Sequence, residues 1–228
     1  MAPAPPPPHR RAPPTRFIRW LHACMGPFAR VEVQGLQHLD AATGMVVVCN
    51  HVGWADPLWV GYAAFPRTLH QMAKKELFDI PGVAWFVRSG GGFPVDRGRP
   101  TPATIKHAIA LVASGERLLI FPAGTRGQED ADSKRGAATI ALRAGAPIIP
   151  AAFQGPPALR LSHLWQRPRI RVVFGPPIAG PGTGASDKAT ALRVTAELDA
   201  AMRAVRLASA DDPTGTNREG PDAAGHGD

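Results

Sequence analysis

Residues 45–60 read MVVVCNHVGWADPLWV. Met45 to Cys49 is an unbroken apolar run rich in β-branched valine, the pattern of a strand covered on both faces. The run stops at Asn50-His51, and Asp56-Pro57 then opens a helix with proline at an early position. A strand covered on both faces needs a layer of structure on each side, so the stretch predicts an α/β domain rather than a half-open sheet. It also sets an imidazole, and five residues later a carboxylate, at the exit of that strand. Open α/β sheets collect their functional groups there.

Upstream, RVEVQ (Arg30 to Gln34) alternates as a strand. The segment TRFIRWLHACMGPFA places Phe17, Ile18, Leu21, Cys24, Met25 and Phe28 on one face of a helix. Such a helix suits a lipid interface or lies on the domain, and its periodicity favours neither. Downstream, LHQMAK (Leu69 to Lys74), GFPVD, RLLIF (Arg117 to Phe121), APIIPAAF and RPRIRVVFG read as strands. Helices are predicted over ADPLWVGYAAF, VAWFVRS, TPATIKHAIALVASG, KRGAATIALRAG and DKATALRVTAELDAAMRAVRLA, with a further one beginning at Glu76-Leu77. Thr101 is placed as an N-cap before Pro102, with Gly115 after the end, and Ser186 as the cap of the last helix. No internal repeat interrupts this alternation. The expected fold is a single α/β domain with a central mixed sheet flanked by helices and an N-terminal amphipathic helix. The expected boundaries are a disordered Pro-rich arm over 1–15, the amphipathic helix over 16–29, the domain over 30–207 and a disordered acidic tail over 208–228.

Composition narrows the function classes. The chain has 228 residues, enough for one sizeable domain. It contains no run of eighteen apolar residues, so no segment is expected to span a membrane. The opening MAPAPPPPHRRAPP lacks the apolar core of a signal peptide. Cys24 and Cys49 supply neither a disulfide framework nor metal spacing, and the histidines are scattered, so a reducing cytoplasm and no metal are expected. The formal net charge is +8, and the last 21 residues carry five acids and one arginine, leaving +12 on residues 1–207. A basic body suits an anionic partner, whether nucleic acid, a membrane surface, acyl carrier protein or a phosphorylated substrate. A recognition helix, finger spacing and an aromatic-basic sheet pattern are all lacking, so nucleic acid is not expected.

Two segments carry the candidate chemistry. In NHVGWAD, a carboxylate at Asp56 folding back beneath His51 would fix the tautomer of the imidazole and stabilise its protonated form. The same spacing is served by Asp56 simply capping the helix. The chain has no G-x-S-x-G elbow, and Cys49 reads as a buried thiol rather than a nucleophile. A His-Asp pair without an enzyme nucleophile points to a general base acting directly on a substrate hydroxyl. In FPAGTRG (Phe121 to Gly127), proline and glycines allow a tight turn with free N–H groups, and Thr125 and Arg126 add donors suited to a phosphate. The plain alternative is a surface turn with a solvated arginine. Between the two segments lie Lys74, Lys75, Arg88 and Arg97, four cations suited to a phosphate or the edge of an anionic bilayer.

The order of segments resembles the glycerolipid acyltransferases, the 1-acyl-glycerol-3-phosphate acyltransferase family. NHVGWAD is similar to the family's N-H-x-x-x-x-D block, AKKEL through PVDR to its second, FPAGTRG to its F-P-E-G-T-R block, and APIIPAA to its fourth. SKRGAATIALRAG is similar to its lysine-glycine helix, and the likeness covers roughly residues 30–180. The resemblance implies His51 as general base on the acceptor hydroxyl and Asp56 as its orienting partner. It implies Arg126, Lys74 and Arg97 on the acceptor phosphate, with Gly124 and Thr125 shaping that pocket. It further implies a lysophospholipid acceptor and an acyl-CoA or acyl-carrier-protein thioester as co-substrate. An apolar tunnel for the acyl chain, no other cofactor and a peripheral site on the cytoplasmic face of a membrane complete the expectation. Ala123 stands where the family has glutamate, which puts acceptor identity in question and leaves as alternatives another lysolipid or amphiphilic acceptor, or a non-catalytic lipid-binding relative.

Overall fold

The computed structural model describes residues 15–42, 44–96, 101–122, 131–178 and 188–210. Its centre is β2 (Met45–Cys49), buried at every residue. Because side chains alternate along a strand, Met45, Val47 and Cys49 enter one core while Val46 and Val48 enter the other. Six further strands join it: β1 (Arg30–Gln34), β3 (His70–Lys74), β4 (Gly92–Val95), β5 (Arg117–Ile120), β6 (Ile148–Gln154) and β7 (Arg169–Phe174). They form one sheet in the order β1-β7-β6-β2-β5-β3-β4. The β6–β7 pairing is antiparallel and the others are parallel, so the sheet is mixed.

Helices cover both faces, as the continuous apolar strands require. On the first face, α1 (Thr15–Met25) and α2 (Asp56–Ala63) bring Met25, Trp59, Val60 and Ala63 against β2 and β6. On the second, α4 (Pro102–Ala113), α5 (Ala131–Ala144) and α7 (Lys188–Ala210) bring Ala108, Leu111, Ile140, Val194 and Leu198 against Val46 and Val48. The Thr101 hydroxyl accepts the Thr104 N–H at 3.2 Å, the N-cap its sequence predicts. The Lys134 ammonium, buried between α5 and α7, donates to Asp199 Oδ1 at 2.5 Å.

Three differences from the sequence reading have local causes. Residues 75–78 form a 3-10 turn rather than the start of an α-helix, because Pro81 holds Ile80 extended and begins α3 (Pro81–Ser89) afresh. α6 (His163–Gln166) lies where only loop was expected; four residues show no periodicity. α7 continues to Ala210, three residues past the expected boundary, where Arg171 Nη1 donates to the Ser209 carbonyl at 3.0 Å. The Pro-rich arm, the acidic tail from residue 211 and the Ser186 cap lie outside the described residues.

Candidate active site

His51 stands two residues beyond the end of β2, at the carboxyl edge shared by β2, β3 and β5. The turn from strand to helix folds Asp56 back, so that His51 Nδ1 and Asp56 Oδ2 lie 2.9 Å apart. The same carboxylate oxygen accepts the Val52 N–H, and the Gly53 N–H at 2.9 Å. Asp56 does not cap the helix, whose N-cap is Ala55 with no side-chain bond; its carboxylate ties the turn ahead of α2 and faces the imidazole. An oxygen that already accepts two N–H groups makes Nδ1 the donor. Nε2 is left with the lone pair, able to accept a proton. Asp56 is fully buried, whereas the His51 side chain keeps 23% of its exposure. The Phe121 ring, just past β5, lies 5.0 Å from the imidazole and limits its tilt.

Asn50, which the sequence reading passed over, fixes the loop from the other side. Its Nδ2 donates to the Phe153 carbonyl at 2.9 Å and its Oδ1 accepts the Phe153 N–H at 2.7 Å. A side-chain amide thus continues the ladder to β6 for one more rung, leaving the backbone free to turn. The loop also needs glycine at position 53, where a Cβ would overlap the Pro157 carbonyl. Cys49 is inert: burial first, then the charge of Asp56, pushes its thiol far above the ordinary range.

From His51 a cavity of about 650 Å³ runs under α1 and α2. Its walls are mostly apolar, with Leu21 and Met25 from α1, Leu58 and Tyr62 from α2, Met72 from β3 and Phe86 from α3. Gly61 lines it as well, and a Cβ there would meet nothing within 4 Å. His22 lies between α1 and α2, its ring stacked 4.0 Å from that of Tyr62. Desolvation lowers its pKa. No local pattern announces this cavity, since its lining comes from elements far apart in sequence.

Lys74, at the end of β3, lines the same cavity, with its ammonium 3.8 Å from Glu76 Oε1. The structure thus brings His51, Asp56 and Lys74 to one edge of the sheet. Lys75 turns to Asp96 at 3.0 Å, a hydrogen bond that raises its pKa, and Arg88 lies over the Phe78 ring. Arg97, Ala123, Gly124, Thr125 and Arg126 lie outside the described residues. The backbone N–H groups of Val52 and Gly53 are committed to Asp56, so any oxyanion formed beside His51 must draw its donors from elsewhere.

An imidazole with a free Nε2, oriented by a buried carboxylate at one end of an apolar cavity, defines a site for chemistry on an amphiphile. The family model described as Acyltransferase matches residues 30–154. A 1-acyl-sn-glycerol-3-phosphate acyltransferase of Bacillus subtilis is 41% identical over 148 residues, which are 65% of this chain and 73% of that protein. Another of Streptococcus pneumoniae is 38% identical over 134 residues, 58% of this chain but about half (49%) of that protein. The fold resembles that of the 1-acyl-sn-glycerophosphate acyltransferase of Thermotoga maritima. The TM-score is 0.61 at 24% identity, over 86% of this chain and 78% of the other. The chain belongs to the Acyltransferase family and is an acyltransferase.

Proposed function

We propose that the protein moves a fatty acyl group from a thioester to the free hydroxyl of 1-acyl-glycerol-3-phosphate, giving phosphatidate for phospholipid synthesis. The observation that carries this reading is the His51–Asp56 pair, 2.9 Å apart, at one end of an apolar cavity. The names of the Bacillus and Streptococcus relatives support the acceptor. His51 Nε2 takes the proton of the acceptor hydroxyl as its oxygen attacks the thioester carbonyl carbon. The resulting tetrahedral oxyanion collapses, the carbon–sulfur bond breaks, and the imidazolium returns the proton to the departing thiolate. Asp56 orients the imidazole and stabilises its cationic form between these steps.

Lys74 supplies positive charge beside the cavity for the acceptor phosphate, and we assign Arg97, Gly124, Thr125 and Arg126 to the same pocket on the family likeness. The acyl chain occupies the cavity. The donor is an acyl-CoA or acyl-carrier-protein thioester, with no further cofactor. Among the described residues no helix is long and apolar enough to cross a membrane. α1 leaves Trp20 58% exposed while Leu21 and Met25 face inward. It would hold the protein peripherally on the cytoplasmic face, aided by Arg16 and Arg19.

The test is purified protein with acyl-CoA, and separately acyl carrier protein thioester, against a panel of lysolipids read by mass spectrometry. Lysophosphatidate should gain one acyl group at the highest rate. Because Ala123 replaces a glutamate, neutral and zwitterionic lysolipids should be tolerated at lower rates. Acylation of another lysolipid with none of lysophosphatidate would make the assigned acceptor wrong.

A further inference from the structure

The cavity accounts for apolar side chains that face inward, but a second group faces out. Leu161 is 76% exposed, Trp165 81% and Leu164 36%, all within five residues around α6. The turn that presents them is built rather than loose. His163 between them points inward, 6% exposed, and its Nδ1 accepts the Arg160 N–H at 3.4 Å. Gln166 and Arg167 close the turn with N–H bonds to the carbonyls of Ser162 and His163, at 3.0 and 2.8 Å. With His163 fixed inward, its neighbours on the other face of the turn have nowhere to go but outward.

The position of this turn is specific. The segment leading into α6 lies on the catalytic loop, since the Pro157 carbonyl abuts Gly53. That loop carries Val52, 47% exposed, and Trp54, 61% exposed, and both line the cavity. α6 also lies against Gly26–Phe28, the 3-10 turn that continues α1. The turn therefore stands beside both the loop and the end of α1 that line the cavity. Arg160 and Arg167, both exposed, stand at the two ends of the turn. Tryptophan and leucine flanked by arginines match the layers of an anionic bilayer surface: the indole at headgroup depth, the leucines at the acyl boundary, the guanidiniums on phosphates. A second copy of the chain is a poor occupant. Three side chains offer only a few hundred Å², against roughly 800 Å² per partner in a stable protein interface.

We propose that α6, with Arg160 and Arg167, is a second membrane contact, distant from α1 in sequence, that seats the cavity on an anionic bilayer. This rests on the peripheral-membrane reading and adds to it the residues that set orientation. One helix alone leaves the domain free to swing, whereas two separated contacts fix which edge of the sheet meets the lipid.

The experiment uses the full chain with Leu161→Ser and Trp165→Ser combined, and separately Arg160→Gln with Arg167→Gln. Each is assayed for sedimentation with vesicles of phosphatidylcholine, with and without phosphatidylglycerol. Because the replaced apolar groups are exposed, melting should be unchanged. The serine variant should lose about tenfold in vesicle partition, and the glutamine variant should lose the preference for phosphatidylglycerol. Turnover of a short-chain acceptor held in free solution should stay within about twofold of wild type for both. If the serine variant binds vesicles like a wild type that itself binds, α6 is no contact and the peripheral reading survives without it. If wild type does not bind, both fall together. A loss of self-association in the serine variant would assign the patch to a second copy, and an equal loss on the soluble acceptor would assign it to the cavity; either overturns the proposal.

Discussion

Asp56 Oδ2 has three donors around it, two from the backbone and one from His51. Its substitutions therefore separate structure from chemistry. Asp56→Ala takes the acceptor from the Val52 and Gly53 N–H groups, at about 1–3 kcal/mol in all, and should lower the melting temperature by several degrees. Asp56→Asn keeps an acceptor for the backbone, so the fold should hold while turnover falls. The fall should be smaller than for loss of the imidazole, because a misoriented ring still has a lone pair. Thermal melts beside initial rates would check both, and an Asn variant that melts like the Ala variant would refute the separation. At this scale the spacing left a helix cap and a partner for the imidazole both open, and the family likeness pointed to the partner that the 2.9 Å contact shows. Asn50 was not legible: its role depends on Phe153, 103 residues away. The loop around Arg126 stays as the sequence left it, outside the described residues.

Among the elements, α2 carries the site at its N-terminus and the cavity wall along its length. Gly61 faces that cavity with open space around it. Gly61→Leu should be tolerated by the helix, where glycine costs about 0.5–1 kcal/mol relative to alanine, and should shorten the acyl chains accepted. Competing mixed-length thioesters in one assay would show it; an unchanged product profile would remove the acyl chain from the cavity. A second test lies between α5 and α7. Asp199→Ala removes an acceptor 2.5 Å from the Lys134 ammonium, only 7% exposed, whereas Lys134→Met removes the buried charge itself and leaves Asp199, 34% exposed, in reach of water. Denaturant unfolding should find the Asp199 variant the weaker, by a margin on the order of 1–3 kcal/mol, because taking a partner from a buried charge costs more than replacing the charge. The unbroken apolar strands made the sheet legible, since only a layered fold covers both faces. α6 was not legible, being too short for any period to show.

Across the whole molecule, the readable quantity was charge. The +12 on residues 1–207 argued for an anionic partner and left open which one. On the proposed reading that partner is a lipid surface, met by α1, the loop after His51 and α6. Binding to anionic vesicles should accordingly weaken several-fold between low and moderate salt, because exposed cations are screened beyond about 10 Å at 0.1 M. Salt-independent binding would mean that apolar insertion alone holds the protein. In the proposed mechanism His51 is the base that takes the acceptor's proton, and one comparison tests that role most directly. Purified wild type and His51→Ala are given the same acyl thioester and lysophosphatidate, and phosphatidate is counted over time. The variant should melt like wild type and turn over roughly a hundred to ten thousand times more slowly. A folded His51→Ala protein that makes phosphatidate at the wild-type rate would contradict it.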